Sequence, residues 1–252
     1  YFSLAAPHPQ PKQKLFKLLQ QAARVLWIAE LGGRYQYAMT VCARSVQELS
    51  AFIDELAARY GGIFQEKQLA VIAAFHLFRK KYLTPQKVPL DALSFGECAP
   101  AVTLDEIDRR IVAALYQPGA ESICAVARAT GIPRTTVEFR LKKMTRNGFI
   151  KAHVYTINAH RLGMQVYKVL VAVKGLPRGI KAKIYDFCLH HPHVVNLICC
   201  LGGWDYELTV EVPTPEAIVE VSQAFSAEFG GYISSTEILP VFRHTLARSS
   251  MR

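Results

Sequence analysis

The chain has 252 residues, a hydrophobic content of 51% and a formal net charge of +10 at pH 7. No stretch reaches the roughly 18 consecutive apolar residues of a membrane span, so we expect a cytoplasmic protein without a membrane partner. Six cysteines without a CxxC pair argue against a disulfide scaffold in a chain of this length and predict reduced thiols.

The first part of the chain predicts a β-α-β-β-α-β unit. Period-2 and helical spacings of apolar residues give strands over 1–6, 25–30, 35–42 and 63–78 and helices over 12–23 and 46–60. This order is the ferredoxin-like arrangement. We assign residues 1–83 to a first ferredoxin-like domain and residues 84–102, with three prolines and a glycine, to a linker.

Residues 103–160 follow another pattern. Thr103 and Glu106 have the spacing of a capping box, which would begin a helix. A short helix ends at Gly131, and Pro133 begins a third helix that buries Val137, Leu141 and Met144. A strand is predicted over 149–157. Three helices with a tight glycine turn and a β extension predict a winged helix-turn-helix domain.

The last part of the chain, residues 161–252, repeats the first. The segment LGGRYQYAMTV (31–41) matches LGGWDYELTV (201–210) when Gly33 is aligned with Gly202, and the same alignment places Gly61 and Gly62 on Gly230 and Gly231 without a gap. A constant offset indicates duplicated structural units. We therefore predict an α+β fold in which two ferredoxin-like βαββαβ domains flank the winged helix-turn-helix domain.

The charge is concentrated in the middle domain. Between Arg128 and Lys151 there are seven basic residues and one acidic residue, Glu138. A local basic block favours a polyanionic partner, and the third helix of a helix-turn-helix enters the major groove. The candidate DNA-binding residues are Arg134, Thr135, Thr136, Glu138, Arg140, Lys142 and Lys143. The alternative is a structural three-helix unit without DNA contact.

Three segments resemble the Lrp/AsnC family of transcription regulators: LDEIDRRIVAAL, VARATGIPRTTVEFRLKKMTRNGFIKAH and LGGWDYELTV. The resemblance covers residues 104–246. It implies sequence-specific binding of double-stranded DNA and effector domains that pair into homo-oligomers. It also implies a small-molecule effector, an amino acid or related metabolite, bound near the loop after the second strand. By the offset, another helix-turn-helix would precede residue 1.

In this sequence the effector loop comprises Gly202, Gly203, Trp204, Asp205 and Tyr206. Asp205 offers a negative charge to an α-ammonium group, and Trp204 offers an aromatic face to a cation. The glycines allow close backbone approach to a carboxylate. The first copy has Gln36 instead of the aspartate. The alternative interpretation is that Asp205 closes a turn and Trp204 packs at the contact between domains.

Some residues depart from the family pattern. Pro133 replaces the usual capping serine, Phe139 stands where arginine is frequent, and Glu138 brings a negative charge to the DNA face. Siroheme decarboxylases of haem biosynthesis share the architecture, so such an enzyme is the alternative function. The histidines of HHPHV (190–194) fit a helix-to-strand turn better than a haem or metal site. With no HExxH, GxSxG or Walker-type motif, we predict a non-enzyme without cofactor.

Overall fold

The computed structural model describes residues 1–5, 12–22, 24–60, 63–84, 90–96, 102–117, 122–152, 154, 157–175 and 177–246. Gly61 and Gly62, which follow the helix predicted over 46–60 and end it in the sequence-based assignment, lie outside these residues. Among the described residues, no helix is long and apolar enough to cross a membrane.

The first half of the fold, residues 1–78, forms an antiparallel sheet covered by two helices. Its elements are β1 (Phe2–Leu4), α1 (Lys12–Gln20), β2 (Val25–Leu31), β3 (Tyr37–Val41), α2 (Val46–Arg59), β4 (Phe64–Lys67) and β5 (Ala70–Phe78). The strand order is β4-β1-β3-β2. Leu15 and Leu19 of α1 and Phe52 of α2 are buried against the sheet. The single strand predicted over 63–78 is wrong, because the chain leaves the sheet at Gln68 and Leu69.

The second half, residues 165–246, repeats this order. Its elements are β7 (Gln165–Val173), α6 (Ile180–His190), β8 (Val194–Gly202), β9 (Tyr206–Val212), α7 (Ala217–Phe229) and β10 (Ile233–Leu246). They give the strand order β10-β7-β9-β8. Ile184 of α6 and Val221 and Phe225 of α7 are buried against the sheet.

Each half extends its last strand onto the other. The strand β5 pairs with β8, and the end of β10 pairs with β2 from Val241 opposite Leu31 to Leu246 opposite Trp27. A further strand, β6 (Ala92–Phe95), pairs with β5. The segment predicted as a linker thus contributes a strand, and the ten strands found in the described residues form one sheet.

An apolar cluster, here called the seam, joins the two halves. The first half contributes Ala29, Leu31, Tyr35 and Ala38 to it, and the second half contributes residues that include Val166, Leu170, Ile198, Trp204, Leu239 and Val241. These side chains lie on the sheet face opposite the helices, which the alternation of strand side chains requires. Each half therefore has one core under its helices and shares the seam with the other.

The middle domain consists of α3 (Glu106–Leu115), α4 (Ile123–Thr130) and α5 (Arg134–Arg146) around its own core. Val137 and Met144 are buried as predicted, and Leu141 is partly buried. Gly131 ends α4 with a φ of 70°, a left-handed conformation that favours glycine.

Two predictions for this domain are wrong. The capping box is formed by Asp105 and Asp108 rather than by Thr103 and Glu106, because the helix begins two residues later. The wing strand is absent from the described residues of 149–157, of which 153, 155 and 156 lie outside the description. Lys151 instead donates to the Ser94 carbonyl at 2.6 Å and so connects the domain to β6.

Candidate functional site

The outer face of α5 is polar and mostly exposed. Arg134, Thr135, Lys142 and Lys143 are exposed, and Thr136 and Glu138 are half-buried. The Lys142 Nζ donates to Glu138 Oε1 at 2.8 Å, and this bond lowers the pKa of Glu138. Within the protein, Glu138 therefore offsets the charge of Lys142.

Arg140 is placed differently from the other candidate residues. Its guanidinium pairs with the carboxylate of Asp105 and lies 3.3 Å from Asp108 Oδ1, which joins α5 to the first turn of α3. The bond to Asp105 raises the pKa of Arg140. The pKa of Asp105 is lowered first by the Asp108 backbone N–H and then by Arg140. A phosphate contact by Arg140 would therefore compete with a pair inside the domain.

We expect Arg140→Ala to lower the stability of the helix-turn-helix domain more than Lys143→Ala, because the Arg140 guanidinium joins α5 to the carboxylates at the start of α3. Conversely, Lys143→Ala should reduce the salt dependence of DNA binding by about one unit of slope, while Arg140→Ala should leave the slope unchanged. Hydrogen exchange of α3 and salt titrations measure the two effects. If Arg140→Ala leaves the hydrogen exchange of α3 unchanged and reduces the slope of the salt titration, Arg140 contacts a phosphate of the DNA instead.

The loop 202–206 packs against the first half. Gly202 has a φ of 129°, and a side-chain Cβ there would lie 2.8 Å from the Leu69 carbonyl oxygen. The Gly203 N–H donates to the same carbonyl at 3.2 Å. The two glycines therefore allow the loop to lie close to Gln68 and Leu69, the residues between β4 and β5.

Asp205 holds three strands together. Its Oδ2 accepts from the Val173 N–H at 2.8 Å, its own N–H donates to Val171 at 2.9 Å, and its carbonyl accepts from Cys200 at 2.7 Å. The carboxylate oxygen Oδ2 is therefore engaged at the end of β7. This geometry favours the interpretation that Asp205 closes a turn.

Gln36 makes the corresponding three bonds in the first half. Its Oε1 accepts from the Leu4 N–H at 3.0 Å, its N–H donates to Phe2 at 3.0 Å, and its carbonyl accepts from Leu31 at 2.8 Å. Each partner occupies the position that the sequence repeat aligns with its counterpart around Asp205. The Gln36 side chain is a neutral amide and accepts the corresponding hydrogen bond. These bonds therefore do not need a negative charge at this position.

The aromatic residues of the loop are buried. Trp204 is 6% exposed in the seam, where its ring meets the Tyr1 ring edge-to-face at 4.8 Å. Burial raises the pKa of Tyr206 to about 12. The structure thus brings the five loop residues together but turns the indole away from solvent. Their predicted role in effector binding stays a prediction.

We expect Asp205→Asn to be tolerated, because an amide oxygen can accept from Val173 as Gln36 accepts from Leu4. Asp205→Ala should lower the free energy of unfolding by about 1–3 kcal/mol, since it leaves a backbone N–H of β7 unpaired. Chemical denaturation of the two variants measures the difference. Equal losses for both would show that the charge itself is needed.

A charged cluster between the two halves was not predicted from the sequence. Lys168 Nζ lies 2.6 Å from Glu207 Oε1 and 2.9 Å from Thr209 Oγ1, and it lies 4.8 Å from the centre of the Trp27 ring. Lys168, Glu207 and Thr209 are all buried. The alternation of Glu207 and Thr209 along β9 is typical of a solvent-facing strand surface. In the structure, Trp27 of the first half lies over Lys168, the partner of Glu207.

The other sequence candidates have local roles. His193 Nδ1 hydrogen bonds to the Glu211 carbonyl at 2.8 Å beside the helix-to-strand turn, and His190 lies 3.3 Å from Asp186 within α6. Among the described residues, no group of histidine, cysteine or acidic side chains has the arrangement of a metal site. Cys188 and Cys200 are buried as expected for core thiols, whereas Cys42 and Cys124 are exposed.

A cavity of about 400 Å³ lies between α1 and α2. Its apolar wall contains Leu18, Phe52 and Leu56. At the positions of the second half that the repeat aligns with the two leucines, Phe187 and Phe225 pack edge-to-face with ring centres 5.4 Å apart. The two smaller leucines leave this space in the first half. The cavity was not predicted, because it depends on how two helices pack.

The middle domain matches a known family model. The model of the AsnC-type helix-turn-helix domain matches residues 104–145. An uncharacterized HTH-type transcriptional regulator of Pyrococcus furiosus is 39% identical over 78 residues, which are 31% of this chain and 52% of that protein. The chain thus spans about half of that relative. The HTH-type transcriptional regulator FL11 of Pyrococcus abyssi is 28% identical over 114 residues, 45% of this chain and 72% of that protein.

Two solved structures align with this chain to different extents. The AsnC family transcriptional regulator from Agrobacterium tumefaciens covers 56% of this chain and 91% of its own, with 20% identity and a TM-score of 0.48. The siroheme decarboxylase NirDL covers 97% of this chain and 73% of its own, with 13% identity and a TM-score of 0.61. At this identity, the second likeness shows that the fold of nearly the whole chain is shared.

Proposed function

We propose, on the premise that this chain belongs to the Lrp/AsnC family, that it is a sequence-specific DNA-binding regulator of transcription. The observation that carries the proposal is the exposed basic face of α5, which lies opposite the buried Val137 and Met144 within the matched domain. The relatives compared above are named transcriptional regulators, and we propose that this chain likewise acts by binding rather than by catalysis.

The charge of this face fits the phosphate backbone of DNA. Arg134, Lys142, Lys143 and Arg146 are exposed on α5, and a cation that neutralises a phosphate releases a counterion. Arginine side chains can also pair with guanine edges in the major groove. We therefore propose that α5 lies in the major groove, with Arg134 and Thr135 toward the bases and the lysines toward phosphates.

The test is the salt dependence of DNA binding by the full chain. We expect the double variant Lys142→Ala/Lys143→Ala to reduce the slope of log affinity against log salt by about 2. The matched control is Lys181→Ala/Lys183→Ala, which removes the same charge from exposed positions of α6. Equal slopes for the two double variants, or no binding to DNA by the parent, would overturn the proposal.

We propose further that the two halves are ferredoxin-like effector domains, with boundaries at residues 1–83 and 161–252. The strand orders β4-β1-β3-β2 and β10-β7-β9-β8 support this assignment. The effector is an amino acid or related small metabolite that acts where the loop 202–206 meets the seam, and further copies associate through these domains.

A thermal-shift screen of amino acids tests the effector, with Asp205→Asn as the second protein. A ligand at 100 times its dissociation constant should stabilise the parent by about 2.7 kcal/mol. The same ligand should change the affinity for DNA. If a ligand stabilises the parent and Asp205→Asn equally, the Asp205 carboxylate does not bind it. If no amino acid stabilises the parent, the result counts against this class of effector. Sedimentation of the full chain tests the association of copies.

A siroheme-decarboxylase-like enzyme is the competing function, since the whole-chain fold likeness is to such an enzyme. Incubation of the purified chain with siroheme separates the two. A change in the absorption spectrum of siroheme, together with a loss of mass that corresponds to CO2, would establish the enzyme. An unchanged tetrapyrrole, together with salt-dependent DNA binding, is expected for the regulator.

A further inference from the structure

The outer face of α5 carries a large apolar side chain at its centre. Phe139 is 65% exposed, whereas Val137 and Met144 on the same helix are buried. At 100° per residue, Phe139 lies opposite these two residues, one turn after Thr135 and one turn before Lys143. The phenyl ring therefore stands in the middle of the polar and basic surface.

A phenyl ring in this position would gain free energy from a partner that covers it. Burial of apolar surface is favourable in proportion to the area removed from water. The exposed residues Arg134, Lys142, Lys143 and Arg146 of α5 are positively charged, and Glu138, the one acidic residue of this helix, is paired with Lys142. Such surroundings suit a polyanion better than an apolar protein surface, so the partner must combine phosphates with a local apolar group.

Double-stranded DNA offers this combination in the major groove. Of the four bases, only thymine presents a methyl group there, and apolar side chains contact it. We propose that Phe139 is a base-reading residue that recognises a thymine through its C5 methyl group. The inference rests on the proposed DNA-binding function and names a specificity determinant beyond the polar candidates.

The test removes the methyl group from the DNA and the ring from the protein. A binding site is first selected for the full chain from random double-stranded DNA, and each thymine is then replaced singly by deoxyuridine. We expect one replacement to weaken binding of the parent about fourfold, the value for one buried methyl-sized group. Phe139→Ala should bind the thymine site about fourfold more weakly and be insensitive to that same replacement.

Phe139→Leu is the conservative control, and it should keep part of the sensitivity to the methyl group. Thymines elsewhere in the site should affect the parent and Phe139→Ala equally. If the parent selects and binds a site but no replacement separates it from Phe139→Ala, the inference fails while the DNA-binding function stands. If the parent binds no DNA, the proposed function itself fails.

The alternative partner for the ring is a second copy of the chain. Sedimentation of the parent and of Phe139→Ala without DNA distinguishes the two cases. The same oligomeric state for both proteins supports a role toward DNA. A shift of Phe139→Ala to a smaller species would overturn the inference, because the ring would then belong to a protein contact.

Discussion

Replacing Glu207 by alanine is expected to lower the free energy of unfolding by about 3–5 kcal/mol, because it leaves a buried ammonium group without its counterion. The side chains of Lys168 and Glu207 are 7% and 8% exposed, and their charged atoms lie 2.6 Å apart. Thr209 Oγ1 is the second hydrogen-bond partner of Lys168 Nζ, at 2.9 Å. A hydroxyl alone cannot replace the carboxylate in a site from which water is excluded.

The double variant Lys168→Met/Glu207→Leu is the matched control. It removes both charges and keeps similar volumes, so it should recover most of the lost stability. Glu66→Ala, which breaks the exposed pair of Arg34 and Glu66, should change stability little. Chemical denaturation of the three variants gives the comparison. Equal losses for Glu207→Ala and the double variant would show that packing, and not the unpaired charge, is responsible.

The position of this cluster gives it a role in joining the halves. The Lys168 ammonium lies over Trp27 of β2, at 4.8 Å from the ring centre. Glu211, further along β9, pairs with Lys80 and Tyr82 of the segment that follows β5. Charged contacts from one half thus meet the other half at two places. We expect substitutions at either place to weaken the pairing of β5 with β8 and of β10 with β2.

The two segments of similar sequence have the same order of helices and strands. The constant offset between the two copies holds at the level of single hydrogen bonds, as the bonds of Gln36 and Asp205 show. The burial of Val137 and Met144 followed from helical spacing alone. These features could be predicted because they depend on neighbours in sequence or on two segments whose sequences match at a constant offset.

The features that could not be predicted depend on contacts between the halves. The pairing of β5 with β8 and of β10 with β2 joins strands that are far apart in the sequence, and no local pattern specifies it. The pairing of β10 with β2 also brings Trp27 over Lys168, the partner of Glu207 on β9. The Arg140 pair with Asp105 was likewise missed, because the sequence placed the helix start at Thr103 and so left the carboxylate of Asp105 without its capping role.

Trp204→Ala is expected to lower the free energy of unfolding by about 3–5 kcal/mol, the usual loss for deletion of a buried aromatic ring. Trp204 is 6% exposed in the seam, and its ring centre lies 4.8 Å from that of Tyr1. Tyr35, its counterpart in the first half, is 2% exposed in the same cluster. Tyr35 and Trp204 therefore occupy corresponding positions in the contact that the two halves share.

Trp204→Tyr, which copies the residue of the first half, should lose less stability than Trp204→Ala because most of the ring is kept. Trp27 is the other tryptophan of the chain, so its fluorescence in either variant reports the opening of the contact between β2 and the second half. We expect this signal to change together with global unfolding in Trp204→Tyr and at lower denaturant in Trp204→Ala. If Trp204→Ala keeps the parental stability yet no longer responds to an amino acid that shifts the parent, the indole serves a ligand rather than the seam.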